Sequence, residues 1–309
     1  MGIRHSPPLF VLAILVLAAS TPEGYVSGQQ PVFRSGAERV TVAVVARDKN
    51  GRPLIGLSAT DFQVFDDAEP RAILDFRNDV SPVSVALLLD TSGSMQIDPK
   101  LRLASEVGHL LLARMDEGVD EAGLFVFDKT VSTAYPFTKE FGPLRTALTS
   151  VHPFGSTSLY DAIAGTAQQL ALRPGRRALV VVTDGVDTSS RLTAAEVSGI
   201  ASAIDMPVYV IAVGTSVDLS AEPSTKAEDI SANLGDLARW SGGMFYRAAN
   251  SADGSVAARQ IVADLRHQYL LAFEPSRASG WHRIEVRARQ QLTLQARSGY
   301  WVGSSAVEQ

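Results

Sequence analysis

Three short stretches of this chain place oxygen donors at the ends of apolar runs. Asp90-Thr91-Ser92-Gly93-Ser94 follows VSVALLL, Gly155-Ser156-Thr157-Ser158 precedes a helical pattern, and Asp184-Gly185 ends ALVVVT with Asp187 close behind. A carboxylate and two hydroxyls on a tight turn, joined by another hydroxyl and a second carboxylate, form a donor set for a small hard cation. Mg²⁺ takes oxygen ligands in a near-octahedral shell at roughly 2.0–2.1 Å and keeps several waters. Two aspartates neutralise a divalent ion, while serine and threonine hydroxyls add ligands without adding charge. An ion held mostly by neutral donors and water stays electrophilic. DTSGS alone reads equally well as a plain turn with Ser94 capping the next helix. The second and third stretches, each at an expected strand or helix end, favour the ion. Asp98 reads as a helix-start residue and Asp187 as a solvated turn residue. Asp161 sits one turn into a helix, where an acid suits the dipole, and is not assigned to the ion.

Strands alternating with helices must position these donors. Val83–Leu89 is a continuous apolar strand, and from Pro99 the residues Leu103, Val107, Leu110, Leu111 and Met115 recur at helical spacing. Strands follow at Gly123–Phe127, Val131–Tyr135, Ala178–Thr183, Val208–Val213 and Met244–Arg247. Helices are expected near Leu144–Val151, Leu159–Leu172, Ala194–Ile204, Ile230–Trp240 and Val256–Gln268, with a polar insert at 215–228. Buried strands between amphipathic helices mean a doubly wound α/β fold, its mostly parallel sheet covered on both faces. Ligands in such folds bind beyond the carboxyl ends of the strands, at a switch point. Asp90 and Asp184 lie at two such ends, on strands expected side by side.

Both flanks read as β. Arg39–Arg47 alternates, Asp48-Lys49-Asn50-Gly51 is a hairpin-type turn, and short strands follow at Phe62–Phe65 and Ala72–Phe76 around Asp66-Asp67. YLLAFEP, HRIEVRAR and LTLQAR give three more alternating runs after residue 268. Neither set alone can cover its apolar face or its edges, so 31–80 and 268–302 are expected to pair into one small β-sandwich beside the α/β unit at 83–267.

The chain has 309 residues, 46% hydrophobic and 20% charged, with a formal charge of −5. That gives no electrostatic case for nucleic acid. Arg4 and His5 precede an apolar run from Leu9 to Ala19 and small residues at 18–20, the pattern of an export signal too short for a comfortable span. Residues 1–28 are read as signal and lead-in, and the mature chain as periplasmic or extracellular with no membrane span. Cysteine is absent, which excludes disulfides and lipid attachment through a lipobox cysteine.

The loops DTSGS, GSTS and TDG resemble the metal-ion-dependent adhesion site of the von Willebrand factor type A (VWA) domain, over about residues 83 to 267. The flanks look like those of bacterial VWFA-related proteins with an export signal. By this resemblance Asp90, Ser92 and Ser94 match the first motif loop, Thr157 the second and Asp184 the third. It implies a Rossmann-like fold, Mg²⁺ or Mn²⁺ at those five residues, and a protein partner whose acidic group completes the shell. That is recognition without turnover, so neither catalytic residues nor an organic cofactor are expected.

A Mg²⁺-dependent hydrolase led by Asp90 is the competing class. It lacks a partner acid two residues on and a lysine in the supporting strands. P-loop, G-x-S-x-G and H-E-x-x-H patterns are absent too. The third class is a scaffold that holds a metal but takes no partner. An apolar rim of Phe154, Leu159 and Tyr160 would favour a protein partner over that scaffold. His152 is the one histidine near the site.

Overall fold

The computed structural model describes residue 2 and residues 39–302, apart from 98, 154, 186, 204 and 215–224. The export-type segment, Asp98, Phe154 and most of the polar insert therefore lie outside the described residues.

Four strands come first: β1 (Val40–Arg47), β2 (Phe62–Asp66), β3 (Glu69–Arg71) and β4 (Asp75–Arg77). The chain then enters an α/β unit at β5 (Val83–Asp90). It continues through α1 (Lys100–Leu112), β6 (Glu121–Phe127), β7 (Val131–Thr138), α2 (Phe141–Thr149), α3 (Leu159–Ala171) and β8 (Arg176–Thr183). The unit ends with α4 (Ala194–Ala203), β9 (Val208–Val213), α5 (Thr225–Ser241), β10 (Phe245–Ala248) and α6 (Ser251–Arg266). Four more strands follow: β11 (Tyr269–Phe273), β12 (Gly280–Ala288), β13 (Thr293–Ala296) and β14 (Gly299–Val302).

The central sheet has the order β10-β9-β8-β5-β6-β7, parallel except for the edge strand β7. All eight residues of β5 are buried, which is why it reads as an unbroken apolar run rather than an alternating one. Val85, Leu87 and Leu89 pack under α1, α2 and α6, while Ala86 and Leu88 pack under α3, α4 and α5. At about 1.5–3 kcal/mol for each fully buried aliphatic side chain, this two-sided core dominates the stability of the unit. The chain runs from β5 to β6 on one side and returns through β8 on the other. The switch point expected from the sequence therefore lies at the carboxyl ends of β5 and β8.

The terminal strands form two antiparallel four-stranded sheets, β13-β1-β11-β4 and β14-β12-β2-β3. Each mixes strands from both ends of the chain. Val42, Val44, Phe62, Val64, Leu271, Phe273, Ile284 and Tyr300 fill the shared core. Within it the Asp66 carboxylate accepts from Tyr300 Oη and Ser276 N, both at 2.9 Å. His282 Nδ1 lies 2.7 Å from Asp67 Oδ2, with Nε2 2.8 Å from the Ala278 carbonyl. These bonds pin the turn after β2, where Asp67 and Ala68 both hold positive φ.

Two arginines tie sandwich to sheet. Arg47 of β1 donates from Nη2 to both carboxylate oxygens of Asp264 in α6 at 2.6 Å, with both side chains buried. Arg176, the first residue of β8, donates to the carbonyls of Leu265 (2.8 Å), Arg266 (3.1 Å), Gln268 (3.1 Å) and Asp79. Those carbonyls belong to the two places where the chain passes between the units.

Some elements differ from the sequence expectation. The last helix starts at Ser251 rather than Val256, because the Asn250 side chain accepts from Ala252 N and Asp253 N and caps a polar first turn. The helix expected at Leu144 starts at Phe141, and the one expected at Ile230 starts at Thr225. A fourth carboxyl-terminal strand, β14, closes a sheet that three runs would have left short.

Candidate metal centre

Asp90 ends β5 and is 0% exposed. Its Oδ2 accepts from Thr183 Oγ1 at 2.5 Å and its Oδ1 from Ser92 N at 2.8 Å. Among the described residues no basic side chain neutralises it, and burial pushes its carboxyl up to about 6 against the pull of the Thr183 and Ser92 hydrogen bonds. A short 3-10 turn follows at Gly93–Gln96, entered from Ser92, whose hydroxyl makes no cap bond. Ser92 Oγ and Ser94 Oγ lie 3.1 Å apart. Helix α1 begins only after Pro99, so Ser94 does not cap it and the plain-turn alternative loses its role for that hydroxyl.

Backbone hydrogen bonds bring the second loop to the first. Gly93 N donates to the Gly155 carbonyl at 2.9 Å, and Ser158 N to the Asp128 carbonyl at 2.8 Å. Gly155 holds φ +91°, and a Cβ there would stand 2.8 Å from Asp128 Oδ2, so this position requires glycine on two counts. Thr157 is buried, and its backbone ties the third loop to the second. Its N–H donates to Thr188 Oγ1 at 3.0 Å, and its carbonyl accepts from Thr188 N (2.9 Å) and Ser189 N (3.0 Å).

Asp184 follows β8, beside Asp90 across the β5–β8 pairing. Its side chain is 2% exposed, and Oδ2 accepts from Lys100 Nζ at 3.0 Å. The other oxygen, Oδ1, is shielded from solvent and has no hydrogen-bond partner among the described residues. An orphaned buried carboxylate oxygen is costly. Two carboxylates and three hydroxyl-bearing residues thus gather on three loops, and the donor chemistry fits a divalent cation.

Neighbouring acids do other work. Asp187 is not a solvated turn residue: its Oδ1 accepts from Leu159 N at 2.9 Å and Ser190 Oγ at 2.7 Å, capping the start of α3. Asp161 accepts from Arg191 N (3.1 Å) and Leu192 N (3.0 Å), holding the segment after the third loop. Of the apolar rim expected from the sequence, Phe154 lies outside the described residues. Leu159 is 0% exposed and belongs to the core, and Tyr160 is half-buried. His152 is exposed. Lys100 escapes the sequence pattern because it comes from the first residue of a helix, not from a supporting strand.

A six-stranded doubly wound sheet with three donor loops at its switch point defines the class of protein. Residues 85–186 match the family profile of the von Willebrand factor type A domain, and the chain carries a VWA domain. A von Willebrand factor type A structure from Catenulispora acidiphila superposes with a TM-score of 0.51 at 12% identity, over 79% of this chain and 74% of that one. An aerotolerance-related membrane protein from Bacteroides fragilis is similar at 24% identity and TM-score 0.48, over 58% of this chain and 98% of that one. The PilB minor pilin from Streptococcus sanguinis is similar at 17% identity and TM-score 0.46, over 60% and 62%. No curated protein matches the chain. Among the described residues no helix is long and apolar enough to cross a membrane.

Proposed function

We propose that this chain is an interaction module that binds a divalent cation, Mg²⁺ or Mn²⁺, through Asp90, Ser92, Ser94, Thr157 and Asp184. Through that cation it takes an acidic group of a protein partner outside the cytoplasm. The observation that carries this reading is Asp184 Oδ1, a buried carboxylate oxygen without a hydrogen-bond partner among the described residues, beside a second buried carboxylate. When bound, the cation supplies a positive, electrophilic centre for an incoming carboxylate.

The chain's own residues do the rest. Asp90 and Asp184 provide the negative charge, and the backbone ties through Gly93, Gly155 and Thr157 hold the loops in place before any ligand arrives. Preorganisation of this kind lowers the ordering cost of binding. The apolar run at Leu9–Ala19 supports export.

Thermal unfolding of the full chain, stripped with chelator and titrated with Mg²⁺ and Mn²⁺, tests the site. A ligand that binds only the native state raises its stability by mass action. The expected result is a concentration-dependent rise in Tm that vanishes in Asp90→Ala. A wild type indifferent to both ions at millimolar concentration overturns the proposal.

A further inference from the structure

Lys100 is an odd choice for where it stands. It opens α1, whose first turn contains no acidic residue, and a cation at a helix amino terminus opposes the macrodipole. Its side chain is only 13% exposed, although lysine is seldom buried without a partner. Both costs are offset by one contact, the 3.0 Å ion pair from Nζ to Asp184 Oδ2.

We infer that Lys100 is a built-in counter-ion of the cation site, one that holds Asp184 while the site is unfilled and weakens the site's hold on the metal. This rests on the function proposed above. With Lys100 in place the site carries one net negative charge, from two aspartates and one ammonium; without it, two. A divalent ion arriving beside Lys100 brings the total to one positive charge, which a single carboxylate from a partner neutralises. Arriving without Lys100, the ion only reaches neutrality, and a partner carboxylate then meets no net attraction. The lysine therefore trades metal affinity for anion preference. It also gives the empty site a charge partner for Asp184, while Oδ1 stays open.

Two measurements test this. The first is calorimetric titration of the full-length wild type, Lys100→Met and Lys100→Arg with Mg²⁺ and Mn²⁺. Removing a positive charge next to a divalent ion is expected to tighten binding about tenfold in Lys100→Met, with Lys100→Arg near wild type. The second needs no variant: amine acetylation of the wild type, read by mass spectrometry at Lys100. Saturating Mg²⁺ is expected to raise labelling there severalfold as the metal displaces the ammonium from Asp184 Oδ2 to the solvent-facing edge of the site, where its charge still counts, and to leave it unchanged in Asp90→Ala. Wild type that binds Mg²⁺ while Lys100→Met binds it no more tightly overturns the inference alone. So does Lys100 labelling that ignores the metal. Absence of binding in both wild type and Lys100→Met overturns the cation site itself.

Discussion

The two ends of the central sheet handle buried charge in opposite ways. At the amino end of the strands the acids meet arginines. Asp120 pairs with Arg266 at 2.8 Å, Glu121 with Arg173, and Asp264 of the adjoining α6 with Arg47 at 2.6 Å. Asp120 also accepts Val83 N at 3.1 Å, fixing the start of β5. At the carboxyl end, among the described residues, Asp90 has hydroxyl and backbone donors but no base, and Asp184 has one lysine and one open oxygen. The difference separates a pole whose charges are closed by arginines from one whose charges are left open. Where charge is closed, it fastens elements together; the open pole is where the proposed function places the cation.

That contrast can be broken by substitution. The largest expected effect is at the closed pole: Arg47→Met leaves Asp264 buried without its partner, and breaking a buried pair costs about 3–5 kcal/mol. Denaturant unfolding should show that loss, while the Tm rise with Mg²⁺ persists. Gly155→Ala comes next. Its Cβ meets Asp128 at positive φ, so a loss of about 1–3 kcal/mol is expected, together with a weakened Mg²⁺ response because the first two loops separate. Asp90→Asn should have the opposite sign at neutral pH. It removes a charge that burial disfavours, so the chelated protein should be at least as stable as wild type, by about 1 kcal/mol, and blind to Mg²⁺. A stability loss there on the scale of Arg47→Met would erase the distinction between the poles.

The smallest effect is pH dependence. The folded carboxyl of Asp90 lies at about 6, above its ordinary 3.8, so the unliganded fold holds a proton that the unfolded chain releases. Its contribution to stability is full below about pH 4 and fades as pH rises through 6. Cation binding needs the ionised form. The Mg²⁺-induced Tm rise should therefore be largest above pH 6 and shrink toward pH 5, a trend to be followed by scanning calorimetry at fixed Mg²⁺.

How much of this was legible beforehand depends on range. The β5 run and the helical spacing of Leu103, Val107 and Leu111 are local patterns, and both elements form where they point. The adjacency of Asp90 and Asp184 was legible too, because a parallel sheet with a switch point leaves few strand orders. Asp187 was misjudged because its partner, Leu159 N, lies 28 residues away and no local pattern announces it. The start of α6 was missed because its first turn is polar; Asn250 followed three residues later by Asp253, whose carboxylate accepts Ala249 N, is a capping signal that could have located it. Lys100 could have been suspected from its sign alone, as a base where a helix prefers an acid.

The pairing of β1 with β11 has a consequence for how the molecule is made. Arg47 and Asp264 stand 217 residues apart in sequence, and neither half of the sandwich has a core of its own. Closing so long a loop adds little at equilibrium, about 0.6 kcal/mol per doubling of length, but distant pairings slow folding. The α/β unit is thus expected to fold first and to act as the clasp that brings the chain ends together. Until then β1 to β4 wait with unpaired edges, the condition in which strands aggregate. Pulse-labelled hydrogen exchange should show amides of β5 and β8 protected before those of β1. A chain emerging amino end first would have to produce residues 78–268 with that half-sandwich open.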